Sequence, residues 1–496
     1  MIFINYLEKF DFEYDIQGIL RSFYPGMDLK TIMPDNEPVK GEVEGNDILN
    51  CLFDDEKLSL QYKTFDGFCC EKSISRAYDE DGTYDRKETK NSLKRGLYDI
   101  LKEKTKKDLP WGTLSGIRPT KITSSMLEQG MTKEEVFRRM KEEYYISDIK
   151  AEESINISEK ELKILNKIDY RNGYSIYIGI PFCPSTCLYC SFTSNPIGLY
   201  AAKIEKYLDA LFKEIDFCAD IFKNKKLCTI YIGGGTPTTL SPSQLDRLLS
   251  KISNTFDTKS LFEFTIEAGR PDSITLDKLK VIQKYDITRI SINPQTMKDE
   301  TLKIIGRHHS VKQFLEAYDM ARELGFDNIN MDFILGLPEE NIDDVRNSMQ
   351  WVEKLKPESL TIHSLAIKRA ARLNLEQRAG IKYEITNTEE MMQVTKETSG
   401  KLSLKPYYLY RQKNMAGNLE NVGYSLEGKE GIYNILIMEE KQTILALGAG
   451  SSSKMVLHKD DEIGRVENVK DVDLYIERID EMIERKRKYI LEKFEL

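Results

Sequence analysis

Long hydrophobic runs are missing from this 496-residue sequence. No apolar stretch approaches the ~20 residues of a membrane-spanning helix, so no span is expected. A basic excess is missing too: formal net charge is -9, charged residues make up 31%, and the two signs are interspersed. A nucleic-acid surface would need a basic stripe, so that class of partner is set aside. The first ten residues hold no basic segment followed by an apolar one, and no signal peptide is expected. Neither a Walker loop nor G-x-G-x-x-G occurs, which leaves a nucleotide-phosphate site without support. Cysteine is sparse, eight in all, as in a reduced, cytoplasmic protein rather than a disulfide scaffold. Cys51, Cys69, Cys70, Cys218 and Cys228 fall at no ligand spacing and read as small, wholly or partly buried residues. The length exceeds one ordinary core, so two or three domains are expected.

The other three cysteines stand together. Residues 180–192 read I-P-F-C-P-S-T-C-L-Y-C-S-F, with Cys183, Cys187 and Cys190 at C-x3-C-x2-C spacing. An odd number of thiols this close cannot all pair as disulfides, and a metal or cluster explains them better. A structural zinc site would bring two closely spaced ligand pairs, and there is no second pair. A four-iron cubane normally takes four thiolates. Three would leave one iron open, as a catalytic zinc keeps an open position. Such a site would demand low oxygen.

Three regions follow from the patterning. Residues 1–167 read as an amino-terminal α+β domain. Leu58, Leu60 and Tyr62 alternate as a half-buried strand does, residues 72–78 suggest a second strand, and Leu93, Leu97, Ile100 and Leu101 share a helix face. Thr132 with Glu135 predicts a capping box. Residues 109–121 mix turn formers with Trp111 and Arg118, reading as an ordered interdomain connection or a functional loop. In residues 168–373, apolar runs at 175–180, 229–232, 262–266, 289–292, 328–333 and 359–363 alternate with helical segments. That grammar predicts an α/β architecture, a partial (β/α)6 TIM-like barrel of parallel strands, with chemistry at the strands' carboxyl ends. Residues 374–496 read as a carboxy-terminal α/β extension. It has strands at 407–411 and 433–438, then Gly448-Ala449-Gly450, then a helix at 474–494 whose charged face is solvated.

Polar residues gather at the expected strand ends. Gly233-Gly234-Gly235-Thr236 follows the second strand, where missing side chains let backbone groups approach a ligand. Glu267 ends the third. Arg289, Ser291 and Asn293 share one face of the fourth at period two, with Gln295 at its end, which is unexpected unless that face lines a site. Asp332 interrupts the fifth, where an unpaired carboxylate would be costly, and His363 closes the sixth. Adjacent His308 and His309 read as loop or substrate contacts and not as metal ligands.

The triplet after the first strand, the G-G-G-T-P loop after the second and the polar ends of the next three together resemble the radical S-adenosylmethionine (SAM) superfamily. The phrases I-G-I-P-F-C, G-G-G-T-P-T, R-I-S, G-R-H-H and D-F-I-L-G-L-P are similar to those of the oxygen-independent coproporphyrinogen III oxidase family. Residues 109–121 point to its HemZ-type branch. The resemblance implies a [4Fe–4S] cluster on Cys183, Cys187 and Cys190, whose open iron chelates one SAM, with a second copy of SAM in some members. It implies Tyr177, Tyr189, Gly234, Gly235, Thr236, Glu267, Gln295, Arg307, Asp332 and Ala366 as SAM-binding positions, and Tyr177, Glu267, Gln295, Arg307 and Asp332 as the catalytic set. Arg307 and Ala366 rest on the resemblance alone.

The implied reaction uses a 5′-deoxyadenosyl radical to decarboxylate two propionates of coproporphyrinogen III to vinyls, giving protoporphyrinogen IX. A flavodoxin or ferredoxin would donate the electron. Arg270, Lys368, Arg369, Arg372 and Arg411 are candidate partners for the substrate's carboxylates. Two departures mark this chain. Phe192 stands where oxidases of the family carry a further Cys, as it does in the related heme chaperone branch. Glu420 to Ser425 stands where that branch has H-N-x-x-Y-W. A heme-binding chaperone or trafficking protein, and a radical SAM methyltransferase acting on heme, are the competing expectations.

Overall fold

The computed structural model describes residues 1–8, 11–34, 44–54, 57–116, 118–412, 415, 419–457 and 462–494. They form two compact units, Met1–Glu159 and Lys160–Leu496.

The first unit is built on strands β1 (Ile2–Tyr6), β2 (Leu29–Ile32), β3 (Asp47–Phe53), β4 (Lys57–Lys63) and β5 (Cys69–Ser75), in the order β2-β1-β3-β4-β5. β1 pairs parallel with both neighbours and the rest are antiparallel. Alternation in β4 sends Leu58, Leu60 and Tyr62 inward, where Leu93, Leu97, Ile100 and Leu101 of the helix Arg86–Thr105 meet them. β5 starts three residues earlier than the 72–78 run suggests, because Cys69 and Cys70 already pair with Lys63 and Tyr62, and it ends before Tyr78, which makes a separate bridge to Tyr84. Thr132 and Glu135 make the reciprocal capping box of the helix Lys133–Tyr144, an arrangement that contributes about 1 kcal/mol. Residues 109–121 are packed inside this unit: Trp111, Thr113 and Leu114 are buried, and the Thr113 amide donates to the Tyr144 carbonyl at 2.8 Å. Gly112 has φ 51°, and a Cβ there would lie 2.1 Å from the same carbonyl. Ile117 is outside the described residues.

The second unit continues with β6 (Gly173–Ile180), the two-residue strands β7 (Phe182–Cys183) and β8 (Asn195–Pro196), β9 (Lys226–Gly234), β10 (Glu263–Glu267), β11 (Arg289–Ser291), β12 (Ile329–Leu335), β13 (Ser359–Ser364), β14 (Lys405–Tyr410), β15 (Asn421–Ser425), β16 (Thr443–Leu447), β17 (Ser452–Leu457) and β18 (Glu462–Glu467). Eleven of these make one sheet, ordered β14-β15-β13-β12-β11-β10-β9-β6-β16-β17-β18. Its centre is the expected set of six parallel strands lying side by side in chain order, interspersed with helices such as Ile204–Ile221, Pro242–Thr255 and Ile342–Leu355. Apart from β11, whose Arg289 and Ser291 are polar, the central strands are largely apolar because both faces are covered, as in other parallel sheets. Lys454 of β17 and Tyr410 of β14, from near opposite ends of the sheet, line the same cavity, so the sheet curls into a partial barrel. β16 adds a seventh parallel strand against β6, and residues beyond 374 therefore extend the barrel's own sheet.

Two expectations for this last region need correction. Residues 433–438 are not a strand but part of a helix, Ile432–Glu439, with Tyr433, Ile435, Leu436 and Glu439 buried. A short apolar run satisfies both periodicities, and packing decides between them. The terminal helix is two helices, Val472–Glu477 and Ile479–Lys493, broken at Arg478. Its charged face is not wholly solvated, because Lys486 is 0% exposed. No helix among the described residues is long and apolar enough to cross a membrane.

Candidate active site

The three cysteines sit in the connection leaving β6, at the carboxyl end of the parallel strands. The residues between them fix the turn. Leu188 is buried with Leu302, Ile305, Ile334, Leu337 and Leu365, and its amide donates to the Ile305 carbonyl at 2.9 Å while its carbonyl accepts from the Leu373 amide at 2.8 Å. Phe182–Cys183 pairs with Asn195–Pro196 and closes the loop on itself. Thr236 Oγ1 donates to Cys183 Sγ at 3.6 Å, and Arg270 Nη1 donates to Cys187 Sγ at 3.5 Å. Burial pushes the Cys190 thiol up to about 11, with Cys187 and Cys183 adding to the rise. Burial also raises Cys183, partly offset by bonds from Ser194 and Thr236. Thiols raised by burial, as Cys183 and Cys190 are, make poor thiolates alone and good ones around a cation, which inverts that electrostatic logic. Among the described residues no three His, Cys, Asp or Glu side chains are placed to hold a single metal ion. Three thiols on one loop, with no second ligand pair, suit a cluster bound one iron per sulfur. The donor set fits an iron–sulfur cluster.

All three cysteines open on one cavity of about 640 Å3, within the range of small-molecule sites. Tyr177, Tyr189, Gly234, Gly235, Thr236, Glu267, Gln295, Arg307, Asp332 and Ala366 line it as well, so all the cluster and SAM candidates from the sequence are brought to one place. The glycine loop lies tight against β6. The Gly235 amide donates to the Ile180 carbonyl at 2.8 Å and the Thr236 amide to the Phe182 carbonyl at 2.7 Å. A Cβ on Gly235 would lie 2.5 Å from the Phe182 oxygen. Two amide donors of the loop are therefore committed within the chain.

Glu267 takes a 2.6 Å hydrogen bond from the Tyr231 hydroxyl, and the pair crosses above Gly233, where a Cβ would lie 2.9 Å from the Tyr231 ring. Burial pushes Glu267 up to about 7, against the lowering effect of Tyr231. Asp332 moves the other way: burial raises it, but His363, Asn330 and Arg289 outweigh that and hold it below the ordinary carboxylate value. Its Oδ1 accepts from Asn330 at 2.6 Å, and His363 Nε2 stands 3.9 Å from Oδ2. Asn330 also donates to Ser291 at 2.9 Å and accepts from Thr361 at 3.0 Å, so the interior rung around Ser291 is well bonded. Gln295 is held at φ 67°, unusual for a residue with a side chain, and its buried Oε1 has no partner among the described residues. Such strain survives where the surroundings over-determine it and is a pointer to a site. Arg307 donates through Nη2 to the Gly269 carbonyl at 2.6 Å, while its buried Nε and Nη1 have no partner among the described residues.

Some expectations about cations change. Arg270 is not turned to a substrate: it is held by Asp272 at 2.7 Å, by Ser185 and by the Cys187 sulfur. Arg372 pairs with Glu376 at 3.1 Å. Of the five proposed, Arg270 and Lys368 line the cavity, and burial lowers the Lys368 ammonium. Sequence reasoning overlooked the aromatic wall of Tyr231, Tyr408, Tyr410 and Tyr433, with Tyr231 and Tyr433 stacked at 4.5 Å between ring centres. Period-two tyrosines at 408 and 410 were the available signal.

Comparison with known proteins agrees with this geometry. Residues 177–352 match the family model of the radical SAM superfamily. The chain is 43% identical over 417 residues to the oxygen-independent coproporphyrinogen-III oxidase-like protein HemZ of Bacillus subtilis (strain 168), covering 82% of each chain. It is 31% identical over 279 residues to the heme chaperone HemW of the same strain, covering 56% of this chain and 70% of that one. Among solved structures, the coproporphyrinogen III oxidase HemN of Escherichia coli, described as a radical SAM enzyme, aligns over 65% of this chain and 73% of its own at 22% identity and a TM-score of 0.49.

Proposed function

The chain belongs to the radical SAM superfamily and, within it, to the family of oxygen-independent coproporphyrinogen III oxidase-like proteins; from that premise we propose that it oxidatively decarboxylates propionates of coproporphyrinogen III to vinyls, yielding protoporphyrinogen IX. Membership implies a [4Fe–4S] cluster and SAM. In this reading Cys183, Cys187 and Cys190 hold the cluster, and Tyr177, Tyr189, Gly234, Gly235, Thr236, Glu267, Gln295, Arg307, Asp332 and Ala366 surround SAM. When bound, the cluster supplies the electron that splits SAM into methionine and a 5′-deoxyadenosyl radical able to take hydrogen from a propionate β-carbon.

The chain's own residues bind, orient and shield. Carbonyls of the glycine loop suit an ammonium group, and the two open donors of Arg307 suit a carboxylate. Asp332, held ionised, suits paired hydroxyls. Glu267 with Tyr231 gives a donor and an acceptor in one place, and keeps a proton up to about pH 7. Strained Gln295 lines the same cavity. The curled sheet surrounds the space between them with protein, whose low dielectric strengthens each of these contacts.

The observation that carries the reading is the meeting of three thiols and the strand-end polar groups round one cavity. The substrate is supported by likeness to the oxidase-like HemZ. The test is anaerobic, reconstituted protein with SAM, a reductant and coproporphyrinogen III, followed by mass spectrometry. Loss of two CO2 with formation of 5′-deoxyadenosine is expected. A full cluster in Cys187→Ala would overturn the ligand assignment.

A second reading, a heme chaperone, is favoured by Phe192, which is 77% exposed at the cavity rim, and by the HemW likeness. Stoichiometric heme binding without porphyrinogen turnover would establish it instead.

A further inference from the structure

We propose that Arg289, at the floor of the barrel, anchors a carboxylate-binding subsite beneath the SAM-binding positions. Arg289 opens β11, and its neighbours on the same strand face, Ser291 and Asn293, rise from it toward the mouth. Arg289 is among the residues lining the cavity although it is only 2% exposed. Nε and Nη2 are buried and have no acceptor among the described residues. The rung above it is different: Ser291, Asn293, Asn330 and Thr361 bond to one another.

The carboxylate that would ordinarily pair with Arg289 is Glu263, and it is engaged elsewhere. Glu263 Oε1 accepts from Thr265 Oγ1 at 2.7 Å and Oε2 from the Tyr433 amide at 3.1 Å. Tyr231, also beside Arg289, spends its hydroxyl on Glu267. A desolvated guanidinium without an acceptor is costly and is kept where something supplies the acceptor. Its planar fork matches two coplanar oxygens. With Glu263, Glu267 and Asp332 all in the same interior, a singly charged carboxylate is tolerated where a doubly charged phosphate would be repelled.

Two molecules could bring that group: a tetrapyrrole through a propionate, or SAM through its amino-acid carboxylate. The choice of these two rests on the function proposed above. The test is equilibrium titration of anaerobic, cluster-reconstituted protein, wild type and Arg289→Met, with four probes: SAM, decarboxylated SAM, coproporphyrin III and its neutral tetraamide. Arg289→Met should weaken one acid at least about tenfold and leave the counterpart that lacks the carboxylate unchanged. Loss for coproporphyrin assigns the propionate, and loss for SAM assigns the amino-acid end. Both acids binding the variant as they bind wild type would overturn the subsite. Should Arg289→Met fail to fold, Arg289→Lys keeps the charge without the fork. It should weaken the same acid, and unchanged affinity for both acids overturns the subsite equally. Binding is read without turnover, so the two ideas fail separately. No decarboxylation with Arg289-dependent binding sinks the functional reading alone; turnover with Arg289-independent binding sinks this one alone.

Discussion

Lys486, in the helix Ile479–Lys493, and Arg289, at the start of β11, are both withdrawn from solvent, yet the chain surrounds the first with acceptors and, among the described residues, leaves Nε and Nη2 of the second with none. Lys486 pairs with Glu214, also 0% exposed, and donates to the Ala446 carbonyl at 2.6 Å. Glu214 in turn accepts from Tyr475 at 2.6 Å and from Asn468 and the Gly448 amide at 2.8 Å each. That network ties the carboxy-terminal helix to the turn after β16, whose Gly450 and Ser451 form part of the cavity wall. A buried charge answered from within the chain belongs to the architecture. One left facing a cavity belongs to whatever enters it, and its cost to the ligand-free protein is tolerated for function.

The sharpest test of the architectural half is Lys486→Met. Glu214 would be left buried and unpaired, a loss of about 3–5 kcal/mol, read as a lower denaturation midpoint. A loss below about 1 kcal/mol, the value of an exposed pair, would erase the contrast with Arg289. Next in size is the pH dependence carried by Glu267. Burial raises its pKa from 4.5 to about 7, so the native state binds this proton more tightly than the unfolded chain. Its contribution to stability is complete below about pH 4.5 and is lost as pH rises through about 7. Glu267→Gln should remove that decline, about 3 kcal/mol across the window for one group, from denaturation curves of SAM-free protein. Parallel curves for the variant and the wild type would mean that Glu267 titrates normally.

How far the sequence foretold this division differs from one residue to the next. The six central strands were legible because a parallel strand covered on both faces must be an apolar run, and the polar interruptions Asp332 and His363 then stand out. The thiol triplet and the strand-end residues share that clarity, since their spacing is local. Residues 432–439 were ambiguous because an apolar octet serves either period. Lys486 was misplaced on a solvated face because nothing near it in sequence announces Glu214, 272 residues away. Arg270 was misassigned for a related reason. Asp272 lies only two residues on, but the Cys187 sulfur that completes its pairing comes from another strand's loop. Whether a buried charge is answered is a tertiary fact, and the period of a strand reports only that it points inward.

A smaller effect is expected at the cavity mouth from Gly235→Ala. The added Cβ would meet the Phe182 carbonyl at 2.5 Å, a backbone atom with little room to yield. Overpacking of this kind costs about 1–3 kcal/mol, and the displaced segment leads directly into Cys183. Iron content after reconstitution should therefore fall along with stability. Full iron loading in the variant would show that the glycine serves the loop and not the thiols.

The smallest expected change in stability is the one that decides the comparison. Arg289→Met removes a buried charge that has no hydrogen-bonded partner to strand, so ligand-free protein should lose nothing and can gain up to about 1 kcal/mol. Glu263 loses a favourable neighbour, but its carboxyl is already raised by burial, and a protonated Glu263 keeps its bonds to Thr265 and the Tyr433 amide. The change that does appear should be electrostatic. Arg289 is one of the charges that lower Glu267, so the midpoint of the Glu267-dependent decline should move above pH 7 in the variant. A stability loss matching that of Lys486→Met would place Arg289 in the architecture and leave the barrel floor without a ligand to explain.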